Sequence, residues 1–97
     1  MRLFLHPKVY SDIEKIMHYY EQVATQTLAD QFYSELRQLM IQAAAAPEQF
    51  AIRQGDIHRA NLRRFPYHFL FRVVGDAVRI LVIRHHRRHS NIGSERR

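Results

Sequence analysis

The first part of the chain carries hydrophobic residues at helical spacing. Its apolar positions lie mostly three or four residues apart: Val9, Ile13, Ile16, Met17 and Tyr20. This spacing predicts a helix over residues 7–23. Pro7 suits the first helical position, where its missing N–H would have no partner in any case. Ser11 and Glu14 would form a capping box if the helix began later.

A second apolar stripe follows after a short polar link. Its members are spaced by three or four residues: Leu28, Phe32, Leu36, Leu39 and Ala43. Thr25 and Thr27 are candidate N-caps, and Pro47 is expected to end the helix. Two helices with so short a link must form an antiparallel hairpin. Because each helix has one apolar stripe, the pair needs a flat partner to lie on.

The second half of the chain predicts a sheet. Residues 57–64 and Tyr67–Val74 are expected strands, and residues 78–85 return after a two-residue turn at Gly75 and Asp76. Residues 2–6 add a short strand at the start. The order is therefore β-α-α-β-β-β, an α+β fold in which an N-terminal helical hairpin packs on a mainly antiparallel sheet.

Both faces of the last hairpin carry apolar residues. Alternation places one set toward the helices: Tyr67, Phe69, Phe71, Val73, Val78, Ile80 and Val82. The reverse face then holds a second set between Arg72 and Arg79: Leu70, Val74, Leu81 and Ile83. This face lies either within a curled sheet or open to a partner polypeptide, because monomers rarely expose large apolar patches.

We expect the 97 residues to form one domain with a flexible tail at 91–97. Charge is distributed unevenly along the chain. Residues 1–50 have a net charge of −2 and residues 51–97 a net charge of +8, all of the basic residues in the second half being arginine. Cysteine is absent, which excludes disulfides and thiolate chemistry and fits a reducing cytoplasm. No stretch is long and apolar enough for a signal sequence or a membrane span.

The residue types offer few catalytic arrangements. His85, His86 and His89 are poor metal ligands, because neighbours on a strand point to opposite faces and adjacent arginines would repel a cation. With three glycines and no phosphate-binding loop, no cofactor is expected. Metal-free RNA cleavage would need proton-transfer groups and cations. The candidates for it are His68, Arg72, Arg84, His85, Arg87 and Arg88. A general nucleic-acid reader is less favoured, because the aromatic strand face carries no basic residue.

Several segments together resemble one protein family. Helix one reads DIEKIMHYYE, helix two reads ADQFYSELRQLM, and the hairpin block reads RRFPYHFLFRVVGDAVRILVIRHHRR. In this order and spacing they resemble the ParE/RelE superfamily of toxins from type II toxin–antitoxin systems. The resemblance implies a bacterial toxin that arrests growth and stabilises plasmids. It also implies a cognate acidic antitoxin whose disordered part wraps the toxin.

Two branches of the superfamily differ in their target. RelE-like members are ribosome-dependent mRNA endonucleases, and they commonly have a tyrosine near the C-terminus. Here no tyrosine follows Tyr67, and lysine is absent after Lys15. The sequence therefore looks more like ParE, which implies inhibition of DNA gyrase without a catalytic residue. The RelE-like endonuclease and a non-toxic relic that still binds an antitoxin stay open as alternatives.

This interpretation assigns two sets of contact residues. Contacts to the target are expected from Arg63, Arg64, Arg84, His85, Arg87 and Arg88. Contacts to the antitoxin are expected from Leu70, Arg79, Leu81 and Ile83. Operator DNA would be reached only through the antitoxin.

Overall fold

Two helices cover one face of a five-stranded sheet in the computed structural model of this chain. The structure describes residues 1–87, 93 and 95–97. The helices are α1 (Pro7–Val23) and α2 (Gln26–Ala45), and a 3₁₀ turn, Pro47–Gln49, follows α2. The strands are β1 (Arg2–Leu5), β2 (Ile52–Gln54), β3 (Ile57–Asn61), β4 (Tyr67–Val74) and β5 (Ala77–His85).

The strand order across the sheet is β1-β5-β4-β3-β2. β1 runs parallel to β5, and the other three pairings are antiparallel. The α+β class, the helical hairpin and the mainly antiparallel sheet are confirmed. The short edge strand β2 was not predicted, and β3 ends three residues earlier than expected because the chain bends over residues 63–66.

Both helices begin where their sequence signals indicate. Pro7 opens α1, and the ring of His6 accepts a hydrogen bond from the Lys8 N–H at 3.1 Å. The helix therefore does not begin later, at the capping box of Ser11 and Glu14. Thr25 caps α2, since its hydroxyl accepts from the Leu28 N–H at 3.0 Å. The apolar stripes of the two helices meet the sheet in one core cluster that includes Val9, Ile16, Tyr20, Phe32, Leu36, Phe69, Phe71 and Ile80.

A glycine makes the tight turn between β4 and β5. Val74 pairs with Ala77, which leaves Gly75 and Asp76 as a two-residue loop. Gly75 has a φ of 62°, whereas Asp76 does not have a positive φ. This combination matches the predicted type II′ turn, in which the first loop residue must tolerate the left-handed region. A second Gly–Asp pair joins β2 to β3 in the same way, so the missed strand had a visible signal.

A β-bulge in β5 changes which side chains face the helices. Leu70 pairs with Val82, but the next residue, Phe71, pairs with Ile80, so that Leu81 is the extra residue. Beyond the bulge the alternation is shifted by one. Ile83 therefore joins the helix-side core, and Val82 joins the reverse face. The predicted positions of these two side chains were wrong for this reason.

The reverse face of the sheet has a small core of its own. It consists of Ile57, Leu70, Leu81 and Val82, and both Leu70 and Leu81 are fully buried. Gly93 lies so close to Val82 that no Cβ would fit between them. Arg96 donates from Nη1 to the Leu81 carbonyl at 3.1 Å. The chain thus covers Leu70 and Leu81 itself, so that of the two alternatives for this face the structure has the buried one.

Candidate functional site

Two histidines and two arginines form a connected cluster on the reverse face, where β4 begins and β5 ends. His68 and Arg84 are directly opposite each other in the sheet and are both buried. Arg84 Nε donates to His68 Nε2 at 3.0 Å. The other ring nitrogen of His68 lies 3.0 Å from His86 Nδ1, and the two rings are nearly parallel, at 7°. Arg59 Nη2 approaches the same His86 nitrogen at 3.3 Å. We call these four residues the histidine–arginine cluster.

The hydrogen bonds fix the tautomer of His68. Arg84 Nε carries a hydrogen and no lone pair, so His68 Nε2 must accept. The proton of a neutral His68 ring is then on Nδ1, which donates to His86. Both ring nitrogens of His68 are therefore occupied within the protein.

Burial and neighbouring cations keep the histidines of the cluster neutral. Burial is the largest cause that lowers the pKa of His68 from its ordinary value, and the positive charges of Arg59 and Arg84 act in the same direction, so that the pKa is about 3. The pKa of His86 is also lowered, first by burial and then by Arg59. At neutral pH His68 is neither a charged acid nor a base with an available lone pair. The cluster therefore suits binding better than proton transfer.

An open groove lies at the same end of the sheet, between α1 and the last residues of β5. It has a volume of about 620 Å³. Tyrosines and basic side chains line it, including Tyr19, Tyr20, Tyr67, Lys15, His85 and Arg87. Arg84 reaches this groove as well as the histidine–arginine cluster. The structure thus brings three of the predicted target contacts, Arg84, His85 and Arg87, to one place, and Arg88 lies outside the described residues.

The other two predicted target contacts lie in the bend between β3 and β4. Arg63 and Arg64 are exposed and face α2. Their backbone N–H groups donate to the two carboxylate oxygens of Glu35, at 2.5 and 3.3 Å. Arg64 Nη2 also donates to the Gln31 side chain at 3.1 Å. Glu35 therefore fixes the backbone of the bend that carries both arginines.

The nuclease candidates are divided between the two faces of the sheet. His68 faces the reverse side of the sheet, whereas His85 packs edge-on against Tyr67 on the helix side, with ring centroids 5.2 Å apart. Arg72 lies further along β4 and pairs with Asp56 at 3.6 Å. These residues do not share one site. Within the described ranges, no group of three or more histidine, aspartate or glutamate side chains could hold a metal ion.

The predicted antitoxin contacts differ in accessibility. Leu70 and Leu81 are buried on the reverse face, and Ile83 is buried on the helix side. Arg79 is half-buried on β5, near the parallel strand β1. Among these four, Arg79 is the side chain that a partner can reach without rearrangement of the core.

Sequence reasoning missed two members of the cluster, Arg59 and His86. Arg59 was missed because apolar and polar residues alternate only weakly along its strand, β3. This pattern does not indicate which strand β3 pairs with. It faces the cluster because it pairs with Leu70 in the sheet. His86 follows β5 directly, and its N–H donates to the Pro66 carbonyl at 2.9 Å, which turns the chain toward β4. The adjacent histidines of the sequence drew attention to this segment, but they did not indicate the turn that brings His86 toward β4.

The family model for the ParE toxin of type II toxin–antitoxin systems, parDE, matches residues 3–90. The chain belongs to this family. No curated protein matches the chain in sequence. Among solved structures, a chain from the chromosomal ParDE TA system of P. aeruginosa has a TM-score of 0.78 at 22% identity. That match covers 88% of this chain and 95% of the other, so the two share a fold. In the described part of this ParE-family chain, neither helix is long and apolar enough to span a bilayer.

Proposed function

We propose that this ParE-family toxin acts in the cytoplasm by inhibiting DNA gyrase and that a cognate acidic antitoxin neutralises it. Family membership supports the toxin class. The target is inferred from the chemistry of the residues, together with the resemblance to ParE and not to RelE. The observation that carries the proposal is the state of His68, the best candidate for proton transfer.

An endonuclease needs a group that can exchange a proton near neutral pH. His68 has a pKa of about 3, and Arg84 and His86 occupy both of its ring nitrogens. His85, the second candidate, faces the opposite side of the sheet. This arrangement supports a toxin that binds its target without chemistry. Such a toxin inhibits by having a higher affinity for one state of the enzyme, here gyrase with its DNA cleaved.

The groove beside β5 is the proposed contact surface for gyrase. Tyrosine and arginine are enriched among the residues that dominate binding energy at protein interfaces. Tyr19 and Tyr67 line the groove, and Arg87 is exposed at its rim. Arg63 and Arg64 extend the cationic surface along the bend before β4. The proposed set is Arg63, Arg64, Arg84, His85, Arg87 and Arg88.

An acidic antitoxin would complement the net charge of +8 in residues 51–97. We place its contact at Arg79. The apolar contacts expected from the sequence, Leu70 and Leu81 on the reverse face and Ile83 on the helix side, are buried and would be reached only after rearrangement. Because Gly93 and Arg96 lie over Val82 and Leu81, contact with those leucines requires the C-terminal segment to move. Operator DNA would be bound through the antitoxin.

The deciding experiment measures supercoiling of relaxed plasmid by purified gyrase, with and without the purified toxin. We expect supercoiling to be inhibited and cleaved DNA to accumulate. A parallel reaction contains ribosomes translating a defined mRNA. Cleavage of that mRNA without any effect on gyrase would contradict the proposal and support the RelE-like alternative. Inactivity in both reactions, with retained antitoxin binding, would indicate the non-toxic relic.

A further inference from the structure

Two arginines lie opposite each other on neighbouring strands of the reverse face. Arg72 of β4 pairs directly with Arg79 of β5. Their sequence neighbours Phe71 and Ile80 belong to the helix-side core, so alternation turns both arginines to the reverse face. Directly opposite side chains have Cβ atoms about 5 Å apart, and like charges in this position are destabilising. The fold therefore holds two cations together at a cost in free energy.

Neither guanidinium group is fully satisfied by the folded chain. The Nε atoms of both arginines are buried without a hydrogen-bond partner. Within the described part of the chain, Arg79 also forms no ion pair. Arg72 forms an ion pair with Asp56 at 3.6 Å, but that carboxylate side chain is 66% exposed and contributes little. A shielded N–H without an acceptor is costly, so an added acceptor would stabilise both side chains.

We propose that Arg72 and Arg79 together bind one carboxylate of the antitoxin, carried by an acidic side chain with apolar neighbours. The two oxygens of a carboxylate can accept from the N–H groups of two guanidinium forks at once. Both arginines are only half-buried, so a ligand can approach them from solvent. Because the Nε atoms are shielded in the free chain, binding includes a rotation about the last bonds of each side chain. The inference rests on the proposed antitoxin contact at Arg79, to which it adds Arg72 and the chemistry of the ligand.

The residues around the pair favour a polypeptide over a phosphate. Phe4 of β1 pairs with Arg79 on its other side and is 44% exposed. Val74 lies two residues beyond Arg72 on the same face and is 52% exposed. The Arg2 guanidinium lies 4.8 Å from the centre of the Phe4 ring, which adds a third cation at this edge of the sheet. An acidic residue with apolar neighbours would pair with the arginines and also cover Phe4 and Val74, whereas a phosphate would leave both exposed.

The test uses two tripeptides that differ in a single group. The ligand is acetyl-Leu-Glu-Leu-amide, and the matched control, acetyl-Leu-Gln-Leu-amide, lacks only the charge. Each is added to the full, isotope-labelled chain, and the Nε–Hε resonances of the arginines are followed by NMR. We expect the glutamate peptide to shift the Arg72 and Arg79 resonances to saturation and to bind about ten-fold more tightly than the glutamine peptide. Equal binding of the two peptides, or tighter binding of methyl phosphate, would overturn the proposal.

Substitutions at Arg79 separate the guanidinium fork from its charge. Arg79→Gln should weaken binding of the glutamate peptide about ten-fold. Arg79→Lys, which keeps the charge but not the fork, should weaken it by a smaller factor. Arg37→Gln removes a charge from the exposed face of α2 and should bind the peptide like the unaltered chain. Thermal unfolding of Arg79→Gln should not occur at a lower temperature, because the folded chain gives Arg79 Nε no acceptor. A loss of stability, or equal weakening in Arg37→Gln, would contradict the site.

The antitoxin that co-purifies with the unaltered toxin is the second ligand. Its Kd should rise about ten-fold for Arg79→Gln and for Arg72→Gln. An unchanged Kd would overturn the assignment of this site to the antitoxin. The peptide titration reports on the arginine pair in the toxin alone, and the supercoiling assay reports on gyrase. A failure of the site is therefore distinguished from a failure of the proposed inhibition.

Discussion

Asp12 of α1 accepts a hydrogen bond from the backbone N–H of Ile83, 71 residues further along the chain, at 3.1 Å. The pairing of β1 with β5 ends at Ile80, so the N–H of Ile83 has no strand neighbour on that side. The same Asp12 oxygen accepts from Arg96 Nη1 at 2.8 Å, in an ion pair whose side chains are 14% and 15% exposed. One carboxylate thus joins the first helix, the last strand and the C-terminal segment.

We expect Asp12→Ala to destabilise the fold by about 2–4 kcal/mol. The variant leaves a part-buried N–H without its acceptor and removes the carboxylate partner of a part-buried guanidinium, and both losses are costly. Urea denaturation followed by circular dichroism measures the change. Asp30→Ala removes an exposed carboxylate of α2 that accepts from Gln26, and it should cost less than about 0.5 kcal/mol. Equal effects of the two substitutions would show that the contacts of Asp12 add no stability.

Truncation of Leu81 tests whether the reverse face is a core in solution. Leu81 is fully buried with Leu70 and Val82, so Leu81→Ala should lower the free energy of unfolding by about 2–4 kcal/mol. Val74, on the same predicted face, is 52% exposed, and Val74→Ala should change the stability by less than about 1 kcal/mol. A small effect at Leu81, with antitoxin binding lost instead, would return this face to the role of an open docking surface.

The contact of Gly93 with Val82 predicts a specific coupling between the two positions. A methyl group at Gly93 would collide with the Val82 side chain, so Gly93→Ala should displace the C-terminal segment and reduce stability. Val82→Ala creates room for that methyl group. The double variant should therefore be more stable than the sum of the two single effects predicts, by about 1 kcal/mol. Strictly additive effects on urea denaturation would contradict the close approach.

The sequence allowed the elements to be predicted but not the way their faces combine. The bounds of α1 and β4 and the turn at Gly75 followed from local signals: a proline at the first helical position, strict alternation, and a glycine in the first loop position. The bulge at Leu81 has no such signal, and it moved Ile83 to the helix side. The burial of Leu70 and Leu81 depends on Gly93 and Arg96, which approach from the far end of the chain. Long-range contacts of this kind leave no periodicity in the sequence.

Only part of the candidate site was predicted, again because long-range contacts leave no pattern in the sequence. Arg84, His85 and Arg87 were assigned to the target contact from the charge of one segment. They lie close together in the structure because they are neighbours in sequence at the end of β5. Arg59 contacts His86, which is 27 residues away, and this contact is set by the register of β3 on β4. Register cannot be read from single residues, so this part of the cluster was visible only in the structure.

The low pKa of His68 predicts a loss of stability at acidic pH. In the unfolded chain the pKa is near 6.5, and in the folded chain it is about 3. The unfolded state therefore binds the proton more readily. The stabilisation is complete above about pH 6.5 and falls as the pH decreases toward 3, by up to about 1.4 kcal/mol per unit.

Urea denaturation at pH 7 and pH 5 isolates this effect from the titration of carboxylates. The unaltered chain should lose about 2 kcal/mol from His68 between these two pH values. In His68→Gln the amide can still accept from Arg84 but does not titrate, so this part of the loss should vanish. His18→Gln, at an exposed position of α1, should behave like the unaltered chain. An unchanged pH dependence in His68→Gln would show that His68 is not kept neutral by the fold.

The proposed contact with gyrase predicts that Arg87 is needed for inhibition. Arg87 is exposed beside Tyr67 and Tyr19, so Arg87→Ala should remove an interface contact without disturbing the core. Truncation of an arginine that dominates an interface costs more than about 2 kcal/mol. The toxin concentration that halves supercoiling should therefore rise at least about ten-fold, while thermal unfolding stays unchanged. Arg37→Gln, on the exposed face of α2, should inhibit gyrase like the unaltered chain. If Arg87→Ala were equally potent, the groove beside β5 would not be the gyrase contact, and the bend with Arg63 and Arg64 would be the next surface to test.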